Sequence, residues 1–358
     1  MRRDEGPLLV LRADGGSTIG VGHAMRMIAL GDAWIEQGGR AIWLVADGPA
    51  SVVERAVAAG IDVARLTTVA GSAADATAVL DRVAGARTAA IVVDGPAFDV
   101  AYLDALAPVA DRLMVVDDMA SLARYPSAFV LNQNAHADRA SYPPDAGPRY
   151  LLGLRYVMLR HEFRGETAPR RPVPERARRV LVTFGGADVA GFTMRTIHAI
   201  ERLDPALTRD LEVDVVIGAA NADAASIERS AAASPIALSV ARAVDDMSTR
   251  MVRADLAIVS GGSTVWELAR VGCPALVVET AAVEAFLVRG LERVGLFDRL
   301  GPAAELADDT LVAAIARRLE DVEWRAAMAR LGPELVDGFG AERVIAELKN
   351  LEEPASHA

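Results

Sequence analysis

Uninterrupted apolar segments, each followed by a helical pattern, constrain the fold of this chain more than any other feature. The segment "PLLVLRAD" (7–14) comes first, and "HAMRMIALGDAWIEQGG" (23–39) then repeats apolar residues at helical spacing before a Gly-Gly stop. Further apolar segments follow in the same alternation: AIWLVAD, AAIVVDG, RLMVVDD and AFVLNQN. Strands that are apolar on both faces and separated by helices form a parallel sheet covered on both sides. The pattern predicts a Rossmann-like α/β domain over residues 1–163.

The same plan begins again after a polar stretch. Residues 164–179, "RGETAPRRPVPERARR", hold three prolines and several arginines in place of an apolar pattern, which is typical of a linker. "RVLVTFGGADVAGFTMRTIHAI" then repeats strand, glycine turn and amphipathic helix, and more strands follow in LEVDVVIG, DLAIVSGG and PALVVET. We therefore predict a second Rossmann-like domain over residues 180–350, with the parallel sheets of the two domains facing a ligand cleft.

Charge and cysteine content exclude several classes of function. The 358 residues carry a formal net charge of −11, which argues against a broad nucleic-acid surface because such surfaces neutralise phosphates with lysine and arginine. The N-terminal apolar run is too short for a signal peptide, and no stretch approaches the roughly 20 apolar residues of a membrane helix, so we expect a cytoplasmic protein without a membrane span.

Cys273 is the only cysteine, which excludes an internal disulfide and a cysteine-built zinc site. The oligomeric state stays open.

A glycine-rich segment in the second half has the features of an anion site. "SGGSTVWELARVG" (260–272) follows a strand and opens a helix, whose N–H groups and dipole suit a diphosphate. Thr264 and Glu267 also have the spacing of a capping box, in which Glu267 serves only the helix end. Neither this loop nor the first one has G-x-G-x-x-G spacing or a Walker lysine, which disfavours dehydrogenase and P-loop functions. "FGGAD" (184–188) is more typical of a tight turn.

His23 ends the first glycine loop, "RADGGSTIGVGHAMR" (12–26), and begins a helix. The positive end of a helix dipole disfavours a charged imidazole, so a histidine there stays neutral and can accept a proton; a purely structural histidine is the alternative. The other histidines have no metal-ligand spacing, and we predict no histidine-built metal site from His136, His161 and His198. Carboxylates at or just past strand ends are candidates for ligand contacts or, equally, for turns and caps: Asp14, Asp94, Asp117 and Asp118.

An ordered set of motifs resembles a known family. The motifs are, in chain order, RADGGSTIGVGHAMR, VVDDMA, VLNQN, LLGLRYVMLRHEF, VLVTFGGAD and DLAIVSGGSTVWELARVGCPALVV. Together they resemble the UDP-sugar hydrolases of pseudaminic acid biosynthesis, which release 2,4-diacetamido-2,4,6-trideoxy-L-altrose from UDP. The second half is also similar to the UDP-GlcNAc-dependent glycosyltransferase of lipid II synthesis, which has the GT-B fold. The resemblance therefore implies a GT-B fold and a small-molecule UDP-sugar substrate.

The resemblance also implies roles for matching residues. His23, the histidine of G-x-G-H-x-x-R, activates a water that attacks the anomeric carbon and expels UDP, while Gly20 and Gly22 let the loop approach the sugar. The diphosphate is held by the second glycine loop, Gly261, Gly262, Ser263 and Thr264, and Glu267 bonds the ribose hydroxyls. The remaining members of the implied substrate-binding set are Asp14, Arg26, Asp94, Asn132, Gly185 and Gly186. No metal or cofactor is implied, because helix N-termini can stabilise a leaving diphosphate themselves.

Two departures from the family pattern affect the expected sugar site. Gly95 and Pro96 follow Asp94, where the family has His-Tyr, and Ala281 and Ala282 stand where it has an Asn-Gln pair. Sites that read hydroxyl or amide groups discriminate strongly, so the natural sugar can differ from the family substrate. Our leading hypothesis is a UDP-sugar hydrolase. The alternatives are a GT-B glycosyltransferase, in which His23 deprotonates an acceptor, a catalytically silent nucleotide-sugar binding protein, and an epimerase acting on UDP-GlcNAc.

Overall fold

The computed structural model describes residues 6–16, 21–84, 86–144, 147–165 and 172–350. The chain divides into two compact units, one made of Met1–Arg164 with Gly338–Ala358 and the other of Gly165–Asp337. Each unit holds a parallel sheet with helices, which confirms the predicted fold class. Within the described ranges, no helix is long and apolar enough to cross a membrane.

The first unit is built on a seven-stranded sheet of order β3-β2-β1-β4-β5-β6-β7. Its strands are β1 (Leu8–Ala13), β2 (Arg40–Val45), β3 (Asp62–Arg65), β4 (Thr88–Asp94), β5 (Leu113–Val116), β6 (Phe129–Asn132) and β7 (Arg149–Leu152). The connecting helices are α1 (Gly22–Glu36), α2 (Ala50–Ala58), α3 (Ala73–Val83) and α4 (Val100–Ala105). β1 and β4 are buried along their whole length, as expected for apolar strands with helices on both faces.

The chain changes its direction of travel across this sheet beside β1. β2 and β3 lie on one side of β1, and β4 with the later strands lies on the other. Such a switch point opens a crevice at the carboxyl ends of the two central strands, and ligands of open α/β sheets bind there. In this unit the crevice lies beyond the ends of β1 and β4, where α1 begins.

The second unit has a six-stranded sheet of order β10-β9-β8-β11-β12-β13. Its strands are β8 (Arg179–Thr183), β9 (Glu212–Ile217), β10 (Ala237–Arg242), β11 (Leu256–Ser260), β12 (Ala275–Glu279) and β13 (Asp298–Pro302). Its helices are α5 (Phe192–Glu201), α6 (Pro205–Thr208), α7 (Ala224–Ala233), α8 (Met247–Arg253), α9 (Thr264–Val271), α10 (Glu284–Arg293), α11 (Asp308–Glu320) and α12 (Val322–Leu335). Here the switch point lies between β8 and β11, so the glycine turns that follow these strands flank it.

The last helix, α13 (Gly340–Lys349), belongs to the first unit although it follows the second in the sequence. Val344, Ile345 and Leu348 are fully buried in the core formed around β1, β2 and α1. A Cβ at Gly340 would lie 2.1 Å from the carbonyl oxygen of Val157, so only glycine permits this close packing. The sequence pattern predicts a second domain that extends to residue 350. The structure instead places the apolar face of α13 against the first sheet.

Candidate active site

His23 and Asp94 meet at the switch point of the first sheet. His23 lies in the first turn of α1, directly after the loop that follows β1, and Asp94 is the last residue of β4. The Nδ1 atom of His23 lies 2.7 Å from a carboxylate oxygen of Asp94. Asp94 is fully buried, whereas the side chain of His23 keeps 24% of its surface exposed. The imidazole therefore stands between a buried carboxylate and the solvent.

Arg26 lies one turn along α1 and bonds the same carboxylate through two nitrogens. Its Nε donates to Oδ2 of Asp94 at 2.5 Å and its Nη2 to Oδ1 at 2.6 Å. Burial alone would raise the pKa of Asp94, but the attraction of Arg26 and His23 outweighs burial and holds that pKa well below its usual range. Burial likewise opposes the charge of Arg26, yet Asp118 and Asp94 raise its pKa above the ordinary value. Both groups stay ionised.

The ionised Asp94 determines the tautomer of His23. A carboxylate can only accept, so the Nδ1 atom of the ring carries the hydrogen that forms the 2.7 Å bond. Nη2 of Arg26 lies 3.1 Å from the same Nδ1, and both nitrogens donate to one carboxylate oxygen. In a neutral ring of this tautomer, Nε2 is the nitrogen that can accept a proton. The arrangement is that of an oriented general base.

Asp118 is a second carboxylate on Arg26 that the sequence did not distinguish from a turn residue. Its Oδ1 and Oδ2 lie 3.0 Å and 2.9 Å from Nη1 of Arg26. The amide of Asn134 also donates to Oδ1, at 2.7 Å. Asn132, predicted to bind substrate, is buried and donates to the backbone carbonyl of Asp118 at 3.0 Å. In the structure Asn132 therefore supports the loop that carries Asp118.

Asp14, another predicted ligand residue, is bound within the first unit. Both of its oxygens accept from the buried guanidinium of Arg12, at 2.8 Å and 3.0 Å. Oδ1 also accepts the backbone N–H groups of Ala46, at 2.7 Å, and Asp47, at 3.1 Å. Arg12 bonds Asp75 of α3 as well, so this network joins β1 to its neighbours. Removing one partner of such a buried pair costs about 3–5 kcal/mol, because the other charge is left uncompensated.

The glycines of the first loop are only partly described. Gly22 is the first residue of α1, and open space surrounds the position that a Cβ would take. Val21 is the N-cap residue of α1, and its side chain makes no capping hydrogen bond. Gly20 lies outside the described residues.

The second glycine loop leads from β11 into α9 with an uncapped helix start. Ser263 is the N-cap residue, and its side chain makes no capping hydrogen bond. Thr264 is already the first helical residue, whereas a capping box with Glu267 requires it at the N-cap position. Glu267 lies inside the helix and is buried. Val265 and Trp266 donate their N–H groups to the carbonyl oxygens of Gly262 and Ser263, at 3.2 Å and 3.1 Å, so the candidates for binding an anion at this helix start are the N–H groups of Gly262, Ser263 and Thr264.

The third glycine turn is held by its own carboxylate. Gly185 has a φ of 74°, which favours glycine, and a Cβ at Gly218 would lie 2.2 Å from the carbonyl oxygen of Gly186. The carboxylate of Asp188 accepts the N–H groups of Phe192 at 2.9 Å and Thr193 at 2.8 Å. The carboxylate of Asp188 thus caps the start of α5, whereas the N-cap side chain of α9 makes no capping hydrogen bond.

Glu284 is a polar neighbour of the second glycine loop that the sequence analysis missed. Its carboxylate accepts the backbone N–H groups of Thr280 at 2.7 Å and Ala281 at 3.2 Å. A Cβ at Gly261 would lie 3.0 Å from the Cβ of Glu284. Burial raises the pKa of Glu284, although the hydrogen bonds from the Thr280–Ala281 turn oppose this shift. Ala281 and Ala282, where the family pair was expected, are exposed, and Glu284 is the ionisable side chain beside them.

One further cluster groups a histidine with two carboxylates on the surface of the first unit. Asp32, Glu36 and His161 bring ligand atoms within 4.8 Å of one another. Arg164 already pairs with both carboxylates, at 2.5 Å from Asp32 and 3.0 Å from Glu36. A guanidinium therefore stands where a metal cation would have to bind.

Comparisons with known proteins bear on the fold. No family model matches the chain. The spore coat polysaccharide biosynthesis protein SpsG of Bacillus subtilis is 27% identical over 176 residues, which is 49% of this chain and 51% of SpsG. The uncharacterized protein MJ1062 of Methanocaldococcus jannaschii is 20% identical over 278 residues, 75% of this chain and 55% of that protein. The chain thus spans about half the length of the curated relatives it matches.

Solved structures of glycosyltransferases share the architecture. MurG of Acinetobacter baumannii superposes with a TM-score of 0.65 at 14% identity, covering 96% of this chain and 100% of MurG. The spinosyn rhamnosyltransferase SpnG, complexed with spinosyn aglycone, gives a TM-score of 0.64 at 19% identity, covering 96% of this chain and 100% of SpnG. The two parallel-sheet units of this chain are those of the GT-B glycosyltransferase fold.

Proposed function

We propose that this chain transfers a sugar from a UDP-sugar to an acceptor hydroxyl, with His23 as the general base. The oriented imidazole at the switch point of the first sheet carries the proposal: buried Asp94 and Arg26 fix the ring, and Nε2 is the nitrogen left to take a proton. The GT-B fold supports transfer, because this is the fold of MurG and SpnG. The name of the relative SpsG, a polysaccharide biosynthesis protein, is consistent with this chemistry.

The reaction is a direct displacement at the anomeric carbon. The acceptor oxygen forms a bond to that carbon while its proton passes to Nε2 of His23. The bond between the anomeric carbon and the diphosphate oxygen breaks, and its electron pair leaves with UDP. General-base assistance of this kind contributes about 100- to 10,000-fold to the rate. A displacement from the opposite face inverts the configuration at the anomeric carbon.

The second unit supplies the nucleotide-binding loop in this proposal. The N–H groups of Gly262, Ser263 and Thr264 lie at the uncapped start of α9 and would bind the diphosphate, whose negative charge grows as the sugar leaves. Glu267 is the candidate for the ribose hydroxyls. The carboxylate of Asp188 already caps the start of α5, which makes Gly185 and Gly186 weaker candidates for a phosphate contact.

Hydrolysis of a UDP-linked amino sugar is the second candidate, with water in place of the acceptor. The ordered motifs that resemble the UDP-sugar hydrolases favour it, and they include His23 and the second glycine loop. The base and the leaving group are the same in both reactions. Only the nucleophile differs, so the requirement for an acceptor separates them.

The experiment measures UDP release from a panel of UDP-sugars, including UDP-GlcNAc and the UDP-linked diacetamido-trideoxy-altrose, each with and without sugar acceptors. We expect wild-type protein to release UDP and His23→Ala to lose about 100-fold or more of that rate. Release only with an acceptor indicates a transferase, and release into water alone indicates a hydrolase. UDP binding by calorimetry is expected to survive the substitution.

His198→Ala is the matched control, since His198 is exposed on α5. It should release UDP at the wild-type rate. Wild-type turnover by His23→Ala would remove His23 as the base. Binding of UDP by the wild type without release from any donor and acceptor would instead point to a nucleotide-sugar binding protein.

A further inference from the structure

Asp118 adds a negative charge that Arg26 does not need for its own neutralisation. Asp94 already bonds Arg26 through both of its oxygens, at 2.5 Å and 2.6 Å, and is fully buried. Asp118 nevertheless bonds the third guanidinium nitrogen at 2.9–3.0 Å. Its side chain keeps 28% of its surface exposed, so unlike Asp94 it borders solvent.

The side chains that form this cluster have balanced charges only after the proposed proton transfer to His23; they are His23, Arg26, Asp94 and Asp118. With a neutral ring on His23, the single positive charge of Arg26 faces two carboxylates, and the cluster carries one net negative charge. When His23 takes a proton, two positive charges face Asp94 and Asp118, and the cluster is neutral. Electrostatic groups that are arranged in advance for the charge of the transition state are a principal source of enzymatic rate enhancement.

Hydrogen bonds to the loop after β5 hold Asp118 beside Arg26. Asn134 donates to its carboxylate at 2.7 Å, while Asn132 and the Nε2 atom of His136 lie 3.0 Å and 2.8 Å from its backbone carbonyl oxygen. The preceding residue, Asp117, accepts from Ser121 and from the hydroxyl of Tyr125. The bonds to the backbone carbonyl and to Asp117 fix the loop, and the carboxylate of Asp118 can turn away from Arg26 only by also losing the hydrogen bond from Asn134.

We propose, building on the proposed function, that Asp118 is a positioning residue for the base. Asp118 supplies the second negative charge, which stabilises the protonated ring of His23. It also holds Arg26 in the position in which Arg26 bonds Asp94. The charged and titratable groups that the structure places around the ring and around Asp118 lie on several elements: Arg26 on α1, Asp94 on β4, Asp117 directly after β5, His136 in the loop after β6, and Tyr142 before β7.

Asp118→Asn tests the proposal because it removes the charge and keeps the size of the side chain. We expect kcat for UDP release to fall about tenfold, with the KM for the UDP-sugar unchanged. We also expect the acid limb of the pH–rate profile to move about one pH unit lower, since tenfold in an equilibrium corresponds to one unit. The direction follows from charge: with one carboxylate fewer, the protonated ring is less stable and the base stays neutral to lower pH. Asp118→Glu should restore most of kcat.

Asp104→Asn is the matched control, because Asp104 forms a surface pair with Arg124 on the same unit. It should leave both kcat and the acid limb unchanged. A loss of kcat in Asp118→Asn with an unmoved acid limb, or no loss at all, would overturn the proposal. So would failure of the folded Asp118→Glu protein to recover activity.

A second readout keeps this inference separate from the proposed function. NMR titration of the labelled histidine rings, with His23 assigned by its absence in His23→Ala, follows the charge of the ring directly. We expect the His23 signal to titrate at lower pH in Asp118→Asn than in the wild type. Absence of UDP release in the wild type would refute the proposed function alone, whereas an unshifted His23 titration would refute the role of Asp118.

Discussion

His23 can act as a base only while Asp94 remains a carboxylate, because a protonated Asp94 would no longer fix the hydrogen on Nδ1. The structure secures this with Arg26: the guanidinium and the imidazole hold the pKa of Asp94 well below its usual range, although burial alone would raise it. Over the pH range in which enzymes work, Asp94 is therefore ionised. Asp94 therefore remains able to accept the hydrogen on Nδ1 of His23 throughout that range.

Replacing Asp94 by Asn should impair both activity and folding. The amide cannot balance the charge of Arg26 and can present a donor to Nδ1, so the wrong tautomer of His23 becomes populated. We expect kcat for UDP release to fall by about 10,000-fold, the size seen for the equivalent change in a serine protease triad. We also expect the free energy of unfolding at neutral pH to fall by about 3–5 kcal/mol. Unchanged turnover would exclude Asp94 as the partner of the base.

Asp94→Asn should also change how the free energy of unfolding depends on pH. The folded-state pKa of Asp94 lies below its unfolded value of about 3.9, so the unfolded chain binds more protons in acid. The stabilisation is complete above about pH 5 and is lost as the pH falls through the unfolded value toward the folded one. Urea unfolding from about pH 6 to 3 should therefore show a steeper loss of stability in wild type than in Asp94→Asn. Parallel losses would contradict the assignment.

At the scale of elements, the starts of α5 and α9 differ although both follow a strand and a glycine pair. Asp188 caps α5 with its own carboxylate, whereas the N-cap side chain of α9 makes no capping bond. Where a nearby side chain already accepts the backbone N–H groups of the first helical turn, few of these donors remain for a phosphate. The structure thereby separates two glycine turns that look alike in the sequence.

The neighbouring glycines of the α9 loop allow a matched pair of substitutions. A Cβ at Gly261 would lie 2.4 Å from Val288, while the nearest atoms to a Cβ at Gly262 are 4.0 Å away. Gly262→Ala should keep the free energy of unfolding within about 0.5 kcal/mol and weaken UDP binding about tenfold, because the methyl group intrudes where we propose that the diphosphate binds. Gly261→Ala should instead destabilise the fold by about 1–3 kcal/mol. Calorimetry with UDP and urea unfolding measure the two effects; wild-type UDP affinity in Gly262→Ala would remove this loop from the site.

Local patterns predict the elements well and their partners poorly. The apolar strands β1, β4 and β11 can be predicted because a continuous apolar run is a property of the local sequence. The pairing of His23 with Asp94, 71 residues away, and of Arg26 with Asp118, 92 residues away, depends on strand order, which no local pattern encodes. Strand-end aspartates were therefore visible as candidates, while their assignment to Arg12, Arg26 or a turn required the fold.

At the scale of the whole molecule, α13 links the stability of the first unit to the far end of the sequence. The amphipathic pattern of such a helix does not by itself show which core covers its apolar face. Leu348 is fully buried among residues of the first sheet and α1. The first unit is thus completed by a segment that comes after the second unit in the chain.

Leu348→Ala tests this arrangement. A buried leucine replaced by alanine costs about 2–5 kcal/mol, and here the loss should fall on the first unit. Hydrogen exchange should quicken in β1 and β2 while β11 and β12 keep wild-type protection. Asn350→Ala, at an exposed position just beyond α13, is the control and should exchange as the wild type does. Equal loss of protection in the second sheet would contradict the assignment of α13 to the first unit.

The position of α13 also orders events during synthesis of the chain. Domains fold as units while the ribosome extends them, and the residues of the second unit, Gly165–Asp337, all emerge before α13 does. The second unit can therefore complete its core while the first still exposes the apolar surface that α13 will cover. Until translation reaches Leu348, the nascent first unit, which carries His23, lacks the helix that completes its core.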